Sequence, residues 1–175
     1  MKIEMRELRL EDSEQVAQIH QVMKKQDNFN FMLSDYLVGE DFGPYIERVN
    51  AYKDEATVPE GKVVSTFFVA VIDGKIAGRL SVRHSLNDWL ALVGGHIGYG
   101  VAPEFRGNGV ATHMLKFGLG FLNHLGVEKA FISCRPFNEH SRRTIEKCGG
   151  EFVGVVQDPT EGGAEYRTYW IPTSA

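Results

Sequence analysis

Gly98-Tyr99-Gly100-Val101-Ala102-Pro103-Glu104-Phe105-Arg106-Gly107-Asn108-Gly109-Val110-Ala111-Thr112 is the stretch of this chain on which the fold turns. It reads as a strand, a turn begun by Pro103, and a basic glycine loop that opens straight into a helix. Such a loop aims successive backbone N–H groups at one point in space. The positive end of the helix dipole lies behind them. The combination is a seat for a phosphate or a pyrophosphate.

On the C-terminal side, Ala111, Met114, Leu115, Gly118 and Leu122 lay one apolar stripe along the helix, and Gly126 ends it. Residues 130–134 form a short buried strand. Asn138 caps a further helix through Cys148, which Gly149 and Gly150 terminate. Residues 152–156 and 165–171 are the last two strands. On the N-terminal side, residues 94–101 make a strand with four glycines. Residues 63–72 and 76–82 are apolar runs on either side of Asp73-Gly74, a hairpin signal. Residues 3–10 alternate as a strand, with Ile3, Met5 and Leu8 on the buried side. Asp12 and Gln15 have capping-box spacing and open a helix carrying Val16, Ile19, Val22 and Met23. Pro44 suits the first turn of a second helix, whose inner face is Tyr45, Ile46, Val49 and Tyr52. Residues 27–43 between these helices are irregular.

The order is therefore β-α-α-β-β-β-α-β-α-β-β. The helix after the glycine loop is a crossover that makes the strands on either side of it parallel. The expected architecture is α/β: one mixed, twisted sheet with helices on both faces, in a single domain over residues 1–175.

Composition narrows the function. The 175 residues are 43% hydrophobic and 24% charged, with a formal net charge of −4. That balance argues against a nucleic-acid partner, which calls for a basic face. No apolar run approaches bilayer length, so no membrane span is expected. Residues 1–7 alternate charged and apolar side chains, unlike a signal peptide. Cys134 and Cys148 form no disulfide framework and suit a reducing, cytoplasmic setting. The six histidines have no zinc spacing with the cysteines, and no metal is expected.

The loop lacks the Lys-Ser/Thr pair of a Walker motif. It has Thr112 where a dinucleotide fingerprint has its third glycine, and the next strand ends in Cys134-Arg135 without the acidic residue that fingerprint needs. What remains is Arg106-x-x-Gly109-x-Ala111. This pattern, with residues 97–103 before it and Asn138, Ser141 and Gly149 after it, resembles the GNAT superfamily of acyl-CoA-dependent N-acetyltransferases. About a third of the chain carries the match directly, and the strand order agrees with the family's fold.

The resemblance implies acetyl-CoA as co-substrate and an amine, of a small molecule or a protein, as acceptor, attacked directly in a ternary complex. The amides of Arg106, Gly107, Asn108, Gly109, Val110 and Ala111 would hold the pyrophosphate, with the Thr112 hydroxyl adding a bond. The glycine-rich strand ending at Val101 would pair with the pantetheine arm as an added strand does. Asn138 would bond the arm from the other side or serve only as a helix cap. Ser141 would lie near the pyrophosphate or the arm. A homodimer also follows from the resemblance alone.

Acetyl transfer needs a deprotonated amine, a donor to the carbonyl oxygen, and a proton for the leaving thiolate. The N–H of Val101 or Ala102 suits the second task. Family members often have a tyrosine seven residues after the asparagine that matches Asn138, and here that position is Ile145. The acid is then a tyrosine from elsewhere, a water, or dispensable. The base would be His96, whose imidazole titrates near neutrality, or Tyr99. His96 is otherwise a strand histidine without catalytic duty. Phe29, Phe31, Tyr36 and Phe42 with Asp27, Asp35, Glu40 and Asp41 suit a cationic amine acceptor. Their other reading is core aromatics and solvated acids. The loss of the family's acid also leaves open a non-catalytic acyl-CoA-binding or regulatory module of the same fold.

Overall fold

β2 (Ser65–Ile72) is buried from Thr66 to Ile72, because both faces of its sheet are covered. Phe67, Val69 and Val71 join a core beneath α1 (Ser13–Asp27) and α2 (Phe42–Ala51). Phe68, Ala70 and Ile72 join a second core beneath α3 (Val110–His124). A strand covered on both sides reads as a continuous apolar run. The computed structural model describes residues 1–33 and 35–174 of the chain.

β1 (Glu4–Arg6), β2, β3 (Lys75–Arg83) and β4 (Ile97–Val101) form one antiparallel sheet in that order. β5 (Lys129–Cys134), β6 (Glu151–Asp158) and β7 (Ala164–Pro172) form another, in the order β5-β7-β6, also antiparallel. α4 (Glu139–Lys147) follows β5. The α/β class and the element order match the sequence reading.

The single mixed sheet does not form. One backbone bond, from the His96 N–H to the Phe131 carbonyl at 2.7 Å, joins the two sheets where β4 meets β5. No ladder continues from it. The cause lies just upstream: residues Leu90–Gly94 wind into a π-helical turn, and Gly95 leaves it with φ +68°. The strand expected from residue 94 therefore starts only at Ile97. A Cβ at Gly95 would lie 2.5 Å from the Phe131 carbonyl oxygen, so only glycine allows this approach. Among the described residues, the edge of β4 that faces β5 has no strand partner.

The N-terminus also departs from expectation. The strand covers only Glu4–Arg6. Asp12 does not cap α1. Its carboxylate takes both guanidinium nitrogens of Arg6 at 2.8 Å and the Arg9 N–H at 2.8 Å, a charge-assisted set that outcompetes a cap. Gln15 instead reaches the β2–β3 hairpin, donating to the Gly74 carbonyl and accepting from the Ile76 N–H.

Candidate active site

The glycine loop takes the shape the sequence asks for. Gly107 and Gly109 both sit at φ +78°, which turns the chain sharply into α3. Among the described residues, no side chain caps this helix. The Asn108 side chain folds back onto the carbonyls of Phe105 and Arg106, bracing the loop. Gly107, Asn108, Gly109, Val110, Ala111 and Thr112 find no acceptor for their backbone N–H groups among the described residues. Only the Arg106 amide is occupied, by the Pro103 carbonyl at 3.3 Å. The Arg106 side chain pairs with Asp27 at 2.6 Å, tying the loop to the end of α1.

β4 leads from the sheet junction to this loop. The Ala102 N–H is spent on the Ala77 carbonyl at 2.8 Å, so Ala102 cannot be an oxyanion donor. Bonding direction alternates along a strand. The N–H groups of Tyr99 and Val101 therefore face away from β3, into the open edge. Val101 keeps its expected candidacy, and Tyr99 joins it.

The Tyr99 side chain crosses to α4, where its hydroxyl lies 2.8 Å from the Ser141 Oγ. Burial pushes this phenol up to about 12, while the hydroxyls of Ser141 and Thr144 pull modestly the other way. Asn138 caps α4, its side chain accepting the Ser141 N–H at 3.1 Å. Ile145 is fully buried in the core beneath α3.

His96 does not have the geometry of a base. It is 5% exposed, and its Nδ1 accepts the Phe131 N–H at 2.9 Å. The proton of the neutral ring then sits on Nε2, and no lone pair is left to take another. Burial, with Arg83 nearby, pushes its pKa below the usual histidine value.

The model of the acetyltransferase (GNAT) family matches residues 26–150. This chain belongs to the GNAT acetyltransferase family. No curated protein matches it in sequence. Among solved structures, the fold is similar to that of Mycobacterium smegmatis RimJ in complex with CoA-disulfide, with TM-score 0.70 and 20% identity over 97% of this chain and 81% of that one. It is similar to the microcin C7 self-immunity acetyltransferase MccE, in complex with acetyl-CoA and AMP, with TM-score 0.72 and 20% identity over 98% and 92%. It is also similar to the Vibrio fischeri ribosomal-protein-S5-alanine acetyltransferase, with TM-score 0.73 and 15% identity over 99% and 94%.

Within this GNAT fold, each acid of residues 27–43 already has a partner. Asp27 pairs with Arg106. Asp35 and Glu40 both pair with Arg48, at 3.0 and 2.8 Å, and Asp41 accepts the Gly43 N–H at the start of α2. Phe31, Tyr36 and Phe42 are core. Phe29 alone reaches β4, lying against Gly100.

Two residues that no local sequence motif marks out meet at the same place. Arg79 and Arg83 of β3 converge over Gly98. Their signal was a pair of arginines four apart, on one face of an otherwise apolar strand. Among the described residues, no three His, Cys, Asp or Glu side chains converge to hold a metal ion. No described helix is long and apolar enough to cross a membrane.

Proposed function

We propose that this GNAT chain moves an acetyl group from acetyl-CoA to an amine by direct attack in a ternary complex. One observation carries the reading: β4 has an open edge of free N–H groups, and it runs directly into a loop of six free amides. The residues fit the co-substrate's shape. A long thin chain can lie along β4, and a diphosphate can sit on the amides of residues 107–112 with the α3 dipole behind it. Ser141 reaches Tyr99 of the same strand from α4, and Asn138 caps that helix. The co-substrate, once bound, supplies the acetyl thioester.

In the transfer, the amine nitrogen bonds to the acetyl carbon as the carbon–sulfur bond breaks. The thiolate takes up one proton, and the amine loses one to solvent. The N–H groups of Tyr99 and Val101 would steady the carbonyl oxygen as charge builds on it. The Tyr99 hydroxyl, held by Ser141, is the candidate acid for the thiolate and replaces the tyrosine missing at Ile145. A phenol held near 12 stays protonated at working pH. His96 is a positioning residue that locks β4 to β5. Two free cysteines, Cys134 buried and Cys148 half-buried, suit action in a reducing compartment such as the cytoplasm.

The test is thiol release from acetyl-CoA across an amine panel, beside calorimetric binding of coenzyme A. Release that depends on the amine supports the reading. Tight binding with no release from any amine would favour an acyl-CoA-binding module. No binding at all would overturn both.

A further inference from the structure

Arg79 and Arg83 lie on the face of β3 that looks toward α1 and α2. Arg79 is opposite Gly100 and Ser81 opposite Gly98 on β4. Their side chains lean across to the same spot. A Cβ built on Gly98 would lie 3.5 Å from Nη1 of Arg79 and 3.7 Å from Nη1 of Arg83. Two guanidinium groups thus meet above one glycine, which has no side chain to stand in their way.

Neither group has a counter-ion. Among the described residues no carboxylate comes within ion-pairing distance of either. Arg79 donates to the Asn30 carbonyl at 3.3 Å and stacks on Phe29, with 5.0 Å to the ring centre. Its Nε is buried with no acceptor. Arg83 donates to the carbonyls of Gly94 and Gly95 at 3.0 and 3.2 Å. The pKa of Arg79 is drawn down to about 10, first by burial and then by the charge of Arg83. Two like charges held together out of water are unfavourable unless something negative joins them. Of the acids that flank Phe29 and Asn30, Asp27 is committed to Arg106, and Asp35 and Glu40 to Arg48, so these do not supply that charge.

The position gives the pair a use. Gly98 adjoins Tyr99, whose N–H faces the open edge of β4. The guanidinium nitrogens lie 3.5–3.8 Å from where a Gly98 Cβ would be, one residue before Tyr99 on the same strand. They lie on the face opposite α3, the face on which Phe29 stacks over Arg79 and Asn30 accepts from it. We propose that Arg79 and Arg83 form an anion subsite for the acceptor, so that the amine acetylated here belongs to a molecule carrying a carboxylate or a phosphate close to its amino group. Guanidinium forks match both anions with paired hydrogen bonds. This rests on the acetyl-transfer reading above for the meaning of acceptor. It replaces the cationic acceptor that the acidic residues of 27–43 suggested.

The test uses amines in matched pairs: amino acids and dipeptides against their amides, and O-phosphoethanolamine against ethanolamine. Acidic members are expected to show at least tenfold higher kcat/KM than their neutral partners. Arg79→Gln and Arg83→Gln should each erase most of that preference, and Arg79→Lys should keep part of it. Coenzyme A affinity, measured on every variant, reports that the fold is intact. The carboxylate and phosphate arms decide between the two anions. Equal or better use of neutral partners, or a preference that survives both glutamine variants, would overturn the subsite. If no amine is acetylated, acetyl transfer fails, and calorimetry of the acidic members with the coenzyme A complex decides the subsite alone. Arginine-dependent binding sustains it, and no binding overturns it.

Discussion

His96 and Phe131 hold each other twice: the His96 N–H donates to the Phe131 carbonyl at 2.7 Å, and the Phe131 N–H donates to Nδ1 of His96 at 2.9 Å. This reciprocal pair is the joint between the two sheets. It takes the ring lone pair that base catalysis would require. Replacing His96 by alanine leaves a buried N–H unsatisfied, which costs about 1–3 kcal/mol. Asparagine offers an oxygen near the place of Nδ1. We expect His96→Ala to lose that stability in urea denaturation and to lower kcat as the joint loosens. His96→Asn should recover most of both. An asparagine variant that folds fully and has no activity would return His96 to the role of base.

The same joint should make stability fall in mild acid. His20 repeats the device, its Nδ1 accepting the Met32 N–H at 3.1 Å. Burial lowers the pKa of both rings below 6.5, aided by Lys24 at His20 and Arg83 at His96. Below pH 6.5 the unfolded chain therefore binds protons that the native chain refuses. The contribution is present above that pH and is lost as pH falls through the lowered folded values. Thermal midpoints between pH 7.5 and 5 should decline, and a double His20→Asn, His96→Asn variant should decline less steeply. Parallel curves for the two proteins would rule the device out.

How far the sequence reveals this molecule depends on the range of the interaction. The loop at residues 106–112 is legible because its geometry is local: glycines at positive φ, an uncapped helix start, and Pro103 before them. Asp73-Gly74 and Asn138 are legible for the same reason. The break between β4 and β5 is not. Residues 94–101 look like one strand, and nothing local says that 90–94 wind into a turn held against β5. His96 looks like a base because its lone pair is spent on a residue 35 positions away. Arg79 and Arg83 are visible as residues, yet what matters is the carboxylate they lack, a tertiary property. Asp27, Asp35 and Glu40 mislead in the opposite sense, since their partners Arg106 and Arg48 lie outside the segment.

Tyr99 and Ser141 give a prediction about chemistry. If the Tyr99 hydroxyl protonates the departing thiolate, Tyr99→Phe should lower kcat by about 10- to 100-fold, at or below the usual reach of a positioned acid because a thiolate leaves readily. The KM for acetyl-CoA should hardly move. The wild type should show no alkaline limb in kcat below about pH 10, since the phenol is held near 12. Ser141→Ala should give a smaller loss, because the hydroxyl remains while its orientation loosens. Unchanged kcat in Tyr99→Phe would leave protonation to water.

Gly109 separates the charge of the loop from its shape. Its φ of +78° is strained for most side chains, but asparagine and aspartate tolerate that region best. A Cβ there meets nothing within 4 Å, so neither residue is blocked by packing. The two substitutions are nearly equal in size and differ by one negative charge. Gly109→Asp would set that charge among the free amides at the start of α3, where it satisfies them and repels a diphosphate. We expect Gly109→Asp to weaken coenzyme A binding by tenfold or more in calorimetry, and Gly109→Asn to weaken it far less. A carboxylate at a helix start is itself stabilising, so the aspartate variant should melt no lower than the asparagine one. Equal affinities in the two variants would mean that the diphosphate is held elsewhere.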